Sequence, residues 1–139
     1  MAETNLQVIQ RASATMGMDN PEGHATVKEL LDPDFVVIEP DGLPYAGTYR
    51  GPDGWWTVFR RMLSTWTDIK HEPIFLMGDP AGENFALMVR LSGRSLKTGK
   101  PFETTVMEHW VVRNGRVVSS RPHYFDTKYL WEVCHDEVK

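Results

Sequence analysis

The chain has 139 residues, 41% hydrophobic and 24% charged, with a net charge of −4 and a mass of 15.9 kDa, proportions that fit one globular domain and exclude a disordered or fibrous chain. A pI near 5.7 and the lack of a basic stripe exclude a phosphate-tracking surface, so no nucleic acid is expected as a partner. The single cysteine, Cys134, excludes an internal disulfide and a multi-cysteine zinc site, and the absence of a long apolar run or a signal-like N-terminus predicts a cytoplasmic protein with no membrane segment.

Thr4-x-x-Gln7 reads as a capping box, in which the threonine oxygen and the glutamine side chain each satisfy an orphan amide. Leu6, Ile9, Ser13 and Met16 follow at helical spacing, and Gly17 is placed to stop the helix. Asn20-Pro21 reads as a cap and first-turn proline for a second helix, with Val27, Leu30 and Leu31 as its apolar stripe and an end near Asp32-Pro33. Residues 34–39 are β-branched and aromatic and predict a strand that Pro40 ends. Residues 40–51 hold Pro40, Gly42, Pro44, Gly47 and Gly51, the composition of a loop or short irregular hairpin. Pro52 opens a third helix, on which Trp55, Phe59, Met62, Leu63 and Trp66 share one face. Such a face needs a sheet or cavity to receive it.

The period then changes. Ile74–Met77, Phe85–Leu91, Thr104–Val112 and Val117–Phe125 predict strands, and Asn114-Gly115 is a strong hairpin signal because both residues tolerate positive φ. Residues 127–139 form a polar tail with room for a short helix through Leu130, Val133 and Cys134. Helices first and a meander of strands after them predict a single α+β domain over residues 1–139, its core at about 3–128 and its tail at 129–139. Its antiparallel sheet would curl around the N-terminal helices and enclose a pocket.

Several marks in this order resemble the SnoaL-like group of the nuclear transport factor 2-like superfamily. They are Leu30-Leu31-Asp32-Pro33-Asp34-Phe35, then Tyr45-Ala46-Gly47-x-x-x-Gly51-Pro52-x-Gly54, then Glu108-His109-Trp110-Val111-Val112-Arg113-Asn114-Gly115-Arg116-Val117 and Tyr124-Phe125-Asp126. The resemblance covers roughly residues 3–128. It implies a cone-shaped α+β fold with a central pocket, often dimeric, and it constrains fold far more than reaction, since the superfamily holds isomerases, polyketide cyclases, dehydratases, epoxide hydrolases and non-catalytic domains.

Glu39, in Ile38-Glu39-Pro40-Asp41-Gly42, is similar to the segment that carries the proton-abstracting base of ketosteroid isomerases; a carboxylate at a pocket mouth can shuttle protons. Glu108 stands where those isomerases place the acid that donates to an oxyanion, a carboxyl that an apolar pocket keeps neutral. Glu108 has a second reading: a two-residue turn at Asn114-Gly115 would set it opposite Arg121 as a cross-strand ion pair. The first helix has no tyrosine near Thr15-Met16, where the isomerases supply one. His123 shares the face of Glu108 in that register, while a bulged register would put Tyr124 there instead, with Asp126 two residues on. His109 alternates to the opposite face. Trp110 has the parity of Glu108. Tyr45, Tyr49, Trp55, Trp56, Phe59, Trp66 and Trp110 could line a pocket for a flat apolar ligand or simply form core. His24, His71-Glu72 and His135 lack metal-ligand spacing, no glycine-rich phosphate loop follows a strand, and Cys134 has no evident activating base, so neither metal nor cofactor is expected.

The expected function is cofactor-free acid–base chemistry on a small, largely apolar carbonyl or hydroxyl compound, by isomerisation, cyclisation or dehydration. Glu39, Glu108 and His123 would be its catalytic groups, and Tyr45, Trp55, Phe59, Trp110 and Tyr124 its ligand contacts. The alternative is a ligand-binding or dimer-forming module without turnover. A homodimer across the exposed face of the sheet is expected, because alternation in residues 104–125 puts apolar side chains on both faces.

Overall fold

The computed structural model describes residues 3–135. The chain runs through α1 (Asn5–Thr15), α2 (Pro21–Leu30), β1 (Leu31–Glu39), β2 (Gly47–Arg50), α3 (Gly51–Thr65), β3 (Trp66–Met77), β4 (Asn84–Ser95), β5 (Pro101–Arg113), β6 (Arg116–Tyr124) and α4 (Thr127–Cys134). Local chemistry explains most of these boundaries. The capping box closes α1: Thr4 Oγ1 accepts from the Gln7 amide at 3.1 Å and Gln7 Oε1 accepts from the Thr4 amide at 2.8 Å. Asn20 caps α2 by accepting from the Gly23 amide, with Pro21 at the first helical position. Asp126 caps α4 in the same way through Tyr129.

The strands form one six-stranded sheet in the order β2-β1-β6-β5-β4-β3. The expected antiparallel sheet is corrected on one point: β1 and β6 run parallel, so the sheet is mixed. Only chain neighbours joined by tight turns must be antiparallel, and these two strands are separated by α3 and the meander. The sheet is curved and unclosed, with β2 and β3 at its edges, in an α+β cone-like fold.

Trp66 does not sit on the face of α3. It follows the last helical residue and opens β3, and its indole is 1% exposed in the core against Phe102, with ring centroids 4.2 Å apart. Aromatic and β-branched residues at 65–67 favour extended backbone there. Leu63, also expected on that face, is 43% exposed. β3 begins eight residues earlier than the run Ile74–Met77 indicated, because Pro73 masked it. As an edge strand, β3 tolerates a residue that cannot donate on one side.

One core cluster joins α1 and α2 (Ile9, Ala12, Val27, Leu30) to the inner faces of β1, β4, β5 and β6 (Phe35, Val37, Val89, Val106, Val117). The short helix expected in the C-terminal segment is formed, and its Leu130, Val133 and Cys134 join that same cluster. Gly54 lets α3 pass close to β2, since a Cβ there would lie 2.8 Å from the Tyr49 carbonyl carbon. Among the described residues no helix is long and apolar enough to cross a membrane.

Candidate active site

The β5–β6 hairpin decides which side chains reach the interior. Asn114 and Gly115 both have positive φ, 52° and 75°, and make the expected two-residue turn with Arg113 paired to Arg116. The ladder then slips: Val112 pairs with Val117, but Val111 pairs with Ser119. This bulge moves every later residue of β6 by one and so exchanges the faces. Glu108 consequently pairs with Pro122, Val106 with Tyr124 and Met107 with His123. Tyr124 therefore turns inward. His123 is exposed on the outer face, which corrects its expected place beside Glu108. Arg121, exposed opposite His109, cannot form the ion pair considered for Glu108. His109 faces outward as alternation requires, and its Nε2 lies 2.9 Å from Asn84 Oδ1.

Inside the cone, a cavity of about 430 Å³ lies between α1, α3 and the concave face of the sheet. Its walls are mostly apolar, with Trp55, Phe59 and Met62 from α3, Met16 from the end of α1, and Val106 and Trp110 from β5. Trp55 donates from Nε1 to the Met16 carbonyl at 3.1 Å, which ties α3 to the end of α1, and its ring stacks on Phe59. Polar side chains interrupt this lining: Glu39, Tyr124, Glu108 and His71, with Ser13 and Ser120.

Glu39 is the last residue of β1, 6% exposed, and its Oε1 is buried without a hydrogen-bond partner. β1 and β6 stay paired only as far as Val37 and Ser120, and Pro122, two residues on, has no N–H to extend the ladder. The strands part there, and the carboxyl projects into the gap. Burial pushes the Glu39 pKa from its ordinary 4.5 up to about 8, the negative charge of Glu108 adds to the rise, and the Tyr124 hydroxyl opposes it. Glu39 is thus a neutral acid at pH 7.

Tyr124 lines the cavity beside it. Its hydroxyl is 3.1 Å from that of Tyr45, whose oxygen accepts from Trp66 Nε1 at 2.9 Å. Tyr45, expected as a ligand contact, is fully buried one layer behind Tyr124. Burial drives both phenol pKa values far above the usual range, so both hydroxyls keep their protons. Tyr49 is likewise core: its hydroxyl donates to the Tyr45 carbonyl at 2.9 Å.

Glu108 has the opposite surroundings. Its side chain is 13% exposed and both oxygens are engaged: Oε1 accepts from Trp110 Nε1 at 3.0 Å, and Oε2 lies 3.1 Å from His71 Nε2. Trp110 and Glu108 do face the same way, as their parity requires. Burial lowers the His71 pKa, but the hydrogen bond and charge of Glu108 outweigh it and leave the imidazole above its ordinary value. His71 is the site residue that sequence reasoning missed. The signal was the spacing Ile69-x-His71, which puts both on one face of a strand and both on the cavity wall. Pro73 concealed the strand that carries them.

Among the described residues no group of three or more His, Cys, Asp or Glu side chains is placed to hold a metal ion. Burial pushes the Cys134 thiol up to about 11, so it is protonated at neutral pH and inert as a nucleophile.

The sequence pattern of the SnoaL-like domain matches residues 11–120, most of the chain and most of the cone. The chain belongs to the SnoaL-like domain family. Solved structures agree on the fold of this SnoaL-like protein. An NTF2-like protein from Burkholderia thailandensis E264 is 27% identical, with a TM-score of 0.84 over 96% of this chain and 99% of its own. A protein named for SnoaL-like polyketide cyclases, from Jannaschia sp. CCS1, is 12% identical with a TM-score of 0.79 over 96% and 93%. A protein with a ketosteroid isomerase-like fold from Catenulispora acidiphila DSM 44928, in complex with trimethylamine, is 14% identical with a TM-score of 0.68 over 85% of each chain. No curated protein matches the sequence.

Proposed function

We propose that this SnoaL-like protein is a cofactor-free acid–base enzyme acting on a small, largely apolar carbonyl or hydroxyl compound, as an isomerase, cyclase or dehydratase. The observation that carries this reading is the pairing of unlike groups in one apolar cavity: a buried, neutral Glu39 whose Oε1 has no hydrogen-bond partner at one wall and the His71–Glu108 pair at another. Groups whose surroundings drive them to different protonation states can divide the roles of acid and base. Glu39, with Tyr124, polarises or protonates the substrate oxygen. His71 removes a proton from carbon or oxygen, and Glu108 stabilises the imidazolium that forms. Each role contributes typically 10²–10⁴-fold. This assignment makes Glu39 the acid, where the resemblance implied a base. Its burial is the reason, because a carboxyl that holds its proton to about pH 8 cannot accept another at pH 7. Relatives of this fold carry names of cyclases and isomerases, and one holds a small molecule, which supports a ligand in this cavity. A homodimer across the outer sheet face belongs to the same proposal, since Met107 and Val111 are only partly buried there.

Hydrogen–deuterium exchange tests the chemistry before any substrate is known. Incubated in D2O with a panel of neutral apolar ketones, the protein is expected to speed deuterium entry next to the carbonyl, read by mass spectrometry. Glu39→Gln and His71→Gln should each abolish the acceleration. Ketones that bind without exchange would make the protein a binding module instead.

A further inference from the structure

We infer that a second, outer groove between α1 and the edge strand β3 continues the cavity and takes the aliphatic tail of the same ligand, so that the substrate is an elongated carbonyl or hydroxyl compound with a methylene chain beyond its reacting end. The inference rests on the reading of the cavity as the site of chemistry and adds the shape of the ligand.

The groove has a volume of about 230 Å³ and lies between Gln10 and Ser13 of α1, the second half of β3, and Leu87 of β4. Ser13 lines both this groove and the cavity. On β3, His71 lines the cavity, and Pro73, two residues on and so on the same face, lines the groove. The two spaces therefore meet at one residue of α1 and one step of β3. No charged side chain is among the described lining residues of the groove, so a methylene chain laid there displaces water from Pro73, Ile74 and Leu76 without stripping a charge of its solvent.

Two local features keep the passage open. Ser13 falls in the stripe of Leu6, Ile9 and Met16, and it is small where those neighbours are large. Its Oγ donates to the Gln10 carbonyl at 3.1 Å, so its polar group is satisfied within the helix and makes no demand on an apolar occupant. On the other side, Pro73 pairs with Val89 and Phe75 with Met88, which leaves Ile74 as the extra residue of a bulge, half exposed at the sheet edge. Pro73 has no N–H and the bulge interrupts the edge, so β3 is a poor template for a strand from a second copy of the chain. The exposed apolar edge at Ile74 and Phe75 is instead continuous with the cavity through Ser13, which fits a tail that leaves the cavity by that route.

Acetophenone and octanophenone, which share a ring and a carbonyl and differ only in the length of the chain, test this by tryptophan fluorescence for affinity and by methyl NMR for location. A fully buried methylene is worth about fourfold in affinity, so octanophenone is expected to bind at least thirtyfold more tightly. It should shift the methyl signals of Ile74, Leu76 and Leu87, which acetophenone leaves in place. Ile74→Asp, at an exposed position, should remove most of the gain from the chain while acetophenone, too short to reach it, binds as before. Ser13→Leu, which narrows the passage from the helix side, should independently remove most of the gain. A gain that survives both substitutions, groove methyls that do not move, or no binding of octanophenone overturns the inference. A change in sedimentation on Ile74→Asp with the gain intact would give the groove to a second copy and overturn it too. No turnover enters the measurement: deuterium exchange on short ketones without any gain from the chain would refute the groove and leave the enzyme reading, and a chain seated in the groove without exchange would do the reverse.

Discussion

Two glutamates in one cavity have been given opposite characters. Glu39 stands where β1 and β6 part, 6% exposed, with an oxygen that nothing in the protein satisfies. Glu108 stands mid-strand, two strands away, with Trp110 and His71 on its two oxygens. The side chain is the same, so the difference belongs to the surroundings. Desolvation with one oxygen left unsatisfied makes an acid that keeps its proton, and partners on both oxygens tie the other glutamate to its neighbours. Residue type alone does not assign catalytic roles; the partners of each oxygen do.

The largest expected effect comes from removing the unpartnered member. Glu39→Gln should lower turnover by roughly 10²-fold or more in the exchange assay. It should also raise stability in alkali. In the folded protein Glu39 holds its proton to about pH 8, whereas an unfolded chain releases it near the ordinary 4.5. Stability from this group is therefore complete at low pH, falls between those two values and stays low above them. The glutamine variant lacks that loss, so its melting temperature should match the native protein at pH 4 and exceed it by about 5–10 °C at pH 9. Equal melting at both pH values would show that Glu39 is solvated.

Glu108→Gln attacks the partnered member. Turnover should drop on the order of 10–100-fold. His71, deprived of the carboxylate that raises it, should titrate lower, so the acid limb of the pH–rate profile should shift to lower pH. The alkaline limb, set by Glu39, should also move to lower pH but by less, because burial remains and only the contribution of the Glu108 charge is lost. An acid limb that does not move would remove His71 as the base.

Trp110→Phe is a smaller cut. It deletes one donor to Glu108 and part of the cavity wall, for an expected three- to tenfold loss of turnover and about 1–2 kcal/mol of stability in chemical denaturation. His123→Ala should do least, less than twofold on turnover and within about 0.5 kcal/mol on stability, because that side chain lies outside the cavity. A large effect of His123→Ala would put the functional site on the outer face and undo the comparison between the two glutamates.

What could be read from the chain itself was local. The Thr4 capping box, the Asn20 and Pro21 helix start, the Asn114-Gly115 turn and the position of Glu39 at a strand end each follow from chemistry within a few residues. The shared face of Glu108 and Trp110 follows from strand alternation alone. The order of helices and strands carried the family resemblance, and the family match and the cone both stand. The failures were at long range. The bulge at Val111 and Val112, which exchanged His123 for Tyr124, leaves no signature beyond ordinary valines and serines. The parallel pairing of β1 with β6, the joining of Tyr45 to Tyr124 across 79 residues, and the contact of His71 with Glu108 across 37 were decided only when the sheet curled. Caps and turns are settled by bonds between near neighbours. Register and burial are settled by which packing of the whole sheet leaves the fewest unsatisfied groups, and that is a property of the fold rather than of any segment.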